Sequence, residues 1–211
     1  LVTPDGKPFY SVGINHAQPN GEKDKATGKS PYGEAVDALY ADPAAWADTA
    51  KARLESWGFN TIGAWSDVGL FATRMPYTII LGMSGADWLT GEVEDYFAPS
   101  FEARCADIAA ASVAPRKDDP NLVGYFLDNE MHWAPDWRTP NTLLDDFLGL
   151  PEGAPGRLVA EQHAGDPSGF LLLAASRYFE VASKAVRAAD PNHLILGSRF
   201  VSVMTPPEVP A

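Results

Sequence analysis

The sequence predicts an α/β fold, a (β/α)8 TIM barrel of which about the first five β/α units are present. Three observations lead there. Short apolar runs alternate along the chain with segments of helical periodicity, and such alternation with right-handed crossovers gives a parallel sheet. The polar clusters Asn15-His16, Trp65-Ser66-Asp67, Asp128-Asn129-Glu130 and Ser198-Arg199 all fall after the apolar runs, on the face where barrels place their sites. No G-x-G-x-x-G follows the first run, as an open dinucleotide-binding sheet would require.

Taken in order, Pro8 to Asn15 reads as a first strand, followed by a polar, Gly-rich loop through residue 33. Asp42-Pro43 supplies a helix cap and a proline at the first helical position. Trp46, Ala50, Leu54 and Trp57 then recur at helical spacing up to Gly58, which is placed to end the helix. Phe59 to Ala64 is a second strand and Tyr77 to Leu81 a third. Phe101 to Val113 follows as an amphipathic helix, with Phe101, Cys105 and Ile108 on one face. Leu122 to Leu127 is nearly continuously apolar, the mark of a strand buried on both faces. A long insertion at about 134–169 is rich in Pro, Gly and Asp, with one short helical piece near Leu143 to Leu148. A long helix from about Ser168 to Ala189 ends in the turn Asp190-Pro191-Asn192-His193, and Leu194 to Gly197 is the fifth strand.

A complete barrel takes eight strands and about 250 residues. The 211 residues are therefore expected to form one partial catalytic barrel domain, cut short after its fifth unit. The chain begins at Leu1 without an initiator Met or a signal-peptide pattern, so its N-terminus is read as missing or processed.

A formal charge of -12 and a pI near 4.6 argue against nucleic acid and anionic membranes as partners, since both demand basic surface. A neutral polysaccharide or oligosaccharide makes no such demand. No apolar run approaches membrane-spanning length. The single Cys105 cannot form an internal disulfide and reads as a small buried hydrophobe. Cysteine poverty fits the cytosol and bacterial secreted or periplasmic enzymes alike, and oligomeric state is invisible at this level.

Chemistry concentrates in Asp128-Asn129-Glu130-Met131-His132-Trp133. A Glu at the end of a buried strand can give or take a proton, an Asn can hold a hydroxyl, and a Trp offers a flat face to a sugar ring. Asp128, Glu130 and His132 also alternate as metal ligands on one strand face would. No Cys pair or H-E-x-x-H accompanies them, and no phosphate loop or Ser nucleophile elbow occurs. The expectation is no metal and no cofactor.

Four motifs in order, Tyr10-Ser-Val-Gly-Ile-Asn15, Trp57-Gly-Phe-Asn-Thr-Ile-Gly-Ala-Trp-Ser-Asp67, Gly124-Tyr-Phe-Leu-Asp-Asn-Glu130 and Asp190-Pro-Asn-His-Leu-Ile-Leu-Gly-Ser-Arg199, resemble the retaining clan-A glycoside hydrolases. Within that clan the look is nearest to β-agarases and β-galactosidase-like enzymes. The resemblance implies hydrolysis of an agarose-like β-linked galactan by double displacement. Glu130 would be the general acid/base and Asn129 the ligand of the sugar 2-hydroxyl. The nucleophile, a Glu at the end of a seventh strand, would lie outside this chain. A β-galactosidase, another β-glycanase of the clan, or a carbohydrate-binding barrel without a nucleophile are the alternatives.

Further substrate contacts are expected from Asn15 and His16 after strand one. Trp65 and Asp67 fit a stacking wall and a hydroxyl acceptor, although a core Trp and a helix-capping Asp would look the same. His132 reads as a substrate contact or a partner of Glu130. Trp133 and Trp137 are candidates for a cleft wall, Arg199 for a sugar or structural contact, and His193 for a structural turn.

Overall fold

The computed structural model describes residues 1–92, 94–201 and 205–209. The chain divides into two compact units, one of residues 1–79 with 119–124, the other of residues 80–118 with 125–211.

In the first unit, β1 (Gly13–Ile14), β2 (Thr61–Ile62), β3 (Tyr77–Ile80, all but its last residue) and the start of β4 (Leu122–Phe126) follow one another in sequence order. The β1–β2 and β2–β3 pairs are parallel, with Gly13 opposite Thr61, Ile14 opposite Ile62, and Ile62 opposite Tyr77. The strands are shorter than their apolar runs, but backbone pairing outlasts them. The Asn60 amide donates to Val12 O, Gly63 to Ile14 O, and His16 to Ala64 O (3.0, 2.7 and 2.9 Å).

Helix α2 (Pro43–Ser56) starts and stops as its caps dictate. Asp42 Oδ1 accepts from the Ala45 amide at 2.8 Å, with Pro43 at the first helical position. Gly58 stands at φ +85°, and the Gly58 and Phe59 amides close back on Glu55 O and Leu54 O. These two bonds form a Schellman cap, which a left-handed Gly permits at no steric cost. Trp46, Ala47 and Leu54 of α2 are buried with Ile62 and Phe71, and the Trp46 ring meets Phe71 edge-on at 5.8 Å.

The expected loop through residue 33 is interrupted by α1 (Pro31–Leu39), where the Ser30 hydroxyl accepts from the Gly33 amide and Pro31 opens the helix. The same cap chemistry that marks α2 is present there. A single turn, α3 (Val68–Phe71), is capped by Asp67.

The second unit holds the ends of β3 and β4 with β5 (Leu194–Ile195), again in sequence order. The Leu81 and Met83 amides donate to Phe126 O and Leu127 O, and the Leu196 amide to Tyr125 O. Helix α4 (Pro99–Ile108) loosens into a π-helical turn at Ala109–Val113 and a 3-10 turn at Ala114–Arg116. Pro115 has no N–H to continue an α-helical ladder there.

The 134–169 segment contains α5 (Leu143–Leu148) as expected, and also α6 (Pro155–Gln162) before the long α7 (Pro167–Ala189). The N-cap residue of α6, Ala154, has no capping side chain, and the Gly156 amide donates instead to Asp95 Oδ2 at 2.8 Å, which is why the sequence around it reads as loop. The three helices and α4 enclose an aromatic core of Tyr96, Phe101, Phe147, Phe170 and Tyr178, all under 2% exposed. Ring centroids in this cluster lie 5.1–5.6 Å apart for Tyr96 with Phe101, Phe147 and Tyr178. Cys105 is buried beside them, its thiol pushed up to about 12 by burial, so it is packing rather than a nucleophile.

At the end of α7 the Asp190 carboxylate accepts from Tyr125 Oη (2.6 Å) and the Asn192 amide (2.7 Å), and lies 2.6 Å from His193 Nδ1. His193 is thus a structural turn residue, as its motif suggests.

Phe147→Ala is expected to destabilise this unit by about 3–5 kcal/mol. The check is a lower urea midpoint with the slope of unfolding unchanged.

Candidate active site

Among the described residues, three non-glycine positions take positive φ: His16 (58°), Trp65 (57°) and Glu130 (51°). Each follows the carboxyl end of a strand, β1, β2 and β4 respectively. Left-handed backbone costs a residue with a Cβ roughly 1–2 kcal/mol, and such strain gathers where a side chain must be aimed.

In the second unit the carboxyl end of β4 is paired on into the turn that carries Glu130. The Leu127 amide donates to Gly197 O, Arg199 to Asp128 O, and Glu130 to Arg199 O (2.7, 2.9 and 2.8 Å). Asn129 and Arg199 form a parallel bridge. The carbonyl of Glu130 accepts from Arg138 Nη1 at 2.8 Å, and Arg138 also reaches Trp88 O at 3.4 Å. The other edge of the Arg138 guanidinium grips Asp136. Burial opposes the charge of Asp136, but these bonds prevail and hold its carboxyl at about 2. Glu130 is therefore fixed at its amide and its carbonyl.

Among the described residues its side chain meets one donor. Trp88 Nε1–H donates to Glu130 Oε2 at 3.1 Å. Trp88 is 48% exposed and Trp137 63% exposed. Their rings meet edge-on at 5.4 Å, and the Arg138 guanidinium lies 5.7 Å over Trp137. The Glu130 carboxylate thus stands beside an exposed aromatic pair. Trp137 belongs to the sequence expectation. Trp88 does not, although it follows strand three in a Gly- and Asp-rich stretch, where the same strand-end rule applies.

Asn129 is oriented by Arg199, whose Nη1 donates to Asn129 Oδ1 at 2.7 Å. Arginine has only donors, so the Asn129 oxygen must face it and the amide NH2 points elsewhere.

Asp128 is buried. Its Oδ2 accepts from the Ser84 amide (2.8 Å) and Tyr178 Oη (2.5 Å), its Oδ1 from Ser84 Oγ (2.9 Å). Burial raises its pKa against the pull of those donors. Both oxygens are engaged inward, so Asp128 supports the turn from below.

Two expectations change. His132 is 1% exposed rather than open to substrate. Its Nε2 lies 3.2 Å from Asn141 O and 3.3 Å from Asp146, its Nδ1 3.5 Å from Asp136. The imidazole lies between two carboxylates, turned inward, and ties the loop after β4 together. Trp133 is 3% exposed, stacked on Phe179 (6.0 Å) and edge-on to Tyr178. The ring sits in the core, and the exposed faces at this end belong to Trp88 and Trp137.

In the first unit Asn15 Oδ1 accepts from the Ala64 amide at 3.0 Å. The approach is so close that a Cβ at Gly63 would fall 2.4 Å from that oxygen. The exposed His16 ring stacks on Trp65 (5.0 Å, 25°). Ser66 Oγ accepts from the Ala17 amide, and the Asp67 amide donates to Ala17 O (both 2.9 Å). Asp67 Oδ1 caps α3 through the Leu70 amide at 3.1 Å, so the helix-capping reading of Asp67 accounts for one of its oxygens. A cavity of about 460 Å³ beside this stack is lined by Asn15, His16, Tyr32, Trp46, Arg53 and Trp57.

Among the described residues no helix is long and apolar enough to cross a membrane.

The fold is matched by known proteins. The chain resembles the β-agarases. It is 27% identical to β-agarase A of Vibrio sp. (strain JT0107) over 84% of its own length, and 28% identical to β-agarase B of the same strain over 78%. It spans 24% and 22% of those two proteins. Among solved structures, the agarase AgWH50C superposes with a TM-score of 0.76 at 23% identity, over 99% of this chain and 41% of its own. BpGH50 superposes at 0.74 and 20% identity, over 94% of this chain and 49% of its own. No family model matches the chain. The resemblance read from the four motifs therefore stands for β-agarase, in sequence and in fold.

The pKa of His132 is raised. Burial opposes its charge, but Asp146 and then Asp136 outweigh that cost. A raised folded value gives stability that is complete below the unfolded value near 6.5 and is lost as pH climbs through the folded one. The melting temperature is expected to fall with pH above about 6.5, and His132→Asn to flatten that slope at a lower overall stability.

Proposed function

We propose that these residues are part of the catalytic (β/α)8 barrel, about its first five units, of a retaining glycoside hydrolase that cleaves an agarose-like β-linked galactan. Glu130 is the general acid/base. The observation that carries this reading is the Glu130 carboxylate itself. It stands at the end of β4 on strained backbone (φ 51°), fixed by Arg199 and Arg138, and set against the exposed Trp88–Trp137 pair.

A glycosidic oxygen leaves poorly until it is protonated, so a carboxylic acid must be aimed at it, and the same group then deprotonates the water that releases the glycosyl-enzyme. Asn129, turned by Arg199, offers its amide NH2 to a sugar hydroxyl. The Trp88–Trp137 pair takes the stacking role once expected of Trp133. The first unit, taken by itself, carries sugar-binding groups of its own in Asn15 and the His16–Trp65 stack. Retention needs a second carboxylate about 5–5.5 Å from the first. Asp128 has both oxygens engaged inward, so we assign the nucleophile to a later strand of the protein, outside these residues. A neutral polymer is compatible with a net charge of -12, and a galactan too large to cross a membrane implies an exported enzyme.

Glu130→Gln in the full-length protein is expected to lower kcat on agarose by about 10²–10⁴-fold. On an aryl galactoside with a dinitrophenolate leaving group, which departs without an acid, azide should restore turnover and appear in the product as a glycosyl azide. Undiminished hydrolysis by the variant overturns the assignment. Sugar binding without any hydrolysis by the unmodified protein would instead make it a carbohydrate-binding barrel.

A further inference from the structure

We infer that Trp88 is a positioning residue that selects which oxygen of Glu130 carries the catalytic proton. The inference rests on the reading of Glu130 as acid/base and goes beyond it.

The indole N–H is a donor and never an acceptor. Because Trp88 Nε1 lies 3.1 Å from Glu130 Oε2, Oε2 must act as an acceptor in both protonation states. The acidic proton is thereby confined to Oε1. Without that donor a carboxylic acid shares its proton between two oxygens, and only one of them can face a given glycosidic bond.

The arrangement is held from outside. Arg138 binds the carbonyls of Glu130 and Trp88 through the same Nη1, at 2.8 and 3.4 Å, while Asp136 holds the rest of the guanidinium. One cation thus fixes the backbones of the acid and of its donor together. Trp137 braces the Trp88 ring edge-on.

In the step itself the Oε1–H bond breaks as the glycosidic oxygen takes the proton. The bond from that oxygen to the anomeric carbon breaks as the nucleophilic carboxylate proposed on a later strand bonds to that carbon, the sugar leaves as an alcohol, and Glu130 becomes a carboxylate. The Trp88 N–H stays on Oε2 throughout, so no donor has to be found while charge develops.

The test replaces Trp88 by benzothienylalanine in the full-length protein, which keeps a fused bicyclic ring and puts sulfur where the N–H was, with Trp88→Phe alongside. On a galactan oligosaccharide, whose leaving group needs protonation, kcat is expected to fall about tenfold, a part of the 10²–10⁴ available to general acid catalysis, with KM within twofold. On an aryl galactoside with a dinitrophenolate leaving group, bond cleavage should be unchanged.

Equal losses on both substrates, a rise in KM alone, or no change would each overturn the inference, a rise in KM alone leaving Trp88 only a stacking surface. Glu130→Gln is the control. If that variant is as active as the unmodified protein, the acid/base reading has failed. If it is inactive while the Trp88 variants match the parent, only the role of Trp88 has failed.

Discussion

The buried carboxylate of Asp128 is the tie on which the working end of the second unit depends. It collects an amide and a hydroxyl from Ser84 after β3, and the phenol of Tyr178 from the middle of α7. A charge removed from water is costly unless its lone pairs are filled, and here three donors fill them. The end of β4, the loop after β3 and the long helix are thereby fastened at one point. Glu130 lies two residues beyond it, and every contact that aims Glu130 starts from a backbone already pinned at Asp128.

Around that point the polar side chains fall into inner layers and an outer one. Asp128 is enclosed. Asp136, Arg138 and His132, also enclosed, form with Asp146 a network that shapes the loop after β4. Glu130, Trp88 and Trp137 face outward. The inner layers contribute rigidity and the outer one chemistry, a division that lets a loop carry a reacting group without the looseness loops usually have.

Much of the scaffold was legible in the residues. Asp42-Pro43 and Gly58 bracket α2 as capping chemistry requires, and the apolar run after Asn121 becomes β4. Leu143 to Leu148 is a helix inside the insertion, and Asp190 to His193 is the turn its composition suggests. The site was legible as far as backbone position goes, because residues after a strand lie at its carboxyl end. Side-chain direction was not.

His132 and Trp133 sit next to Glu130 in sequence, yet they turn inward. The charges that attract His132 are at Asp136 and Asp146, and the rings that receive Trp133 are on α7. Trp88 was missed for the converse reason: it is distant in sequence and reaches Glu130 only through the pairing of β3 with β4. Helix α6 was missed because its capping carboxylate, Asp95, is distant in sequence and its own N-cap residue, Ala154, offers none.

Left-handed backbone at His16, Trp65 and Glu130 has a bearing on redesign. A selection for thermal robustness alone would drift toward glycine or asparagine at all three, since either relieves the steric cost of φ near 55°. Such a chain would melt later and lose a ring, a ring and a carboxylate from the ends of three strands. The positions at which this protein is easiest to stabilise are the ones at which a stability screen would erase it.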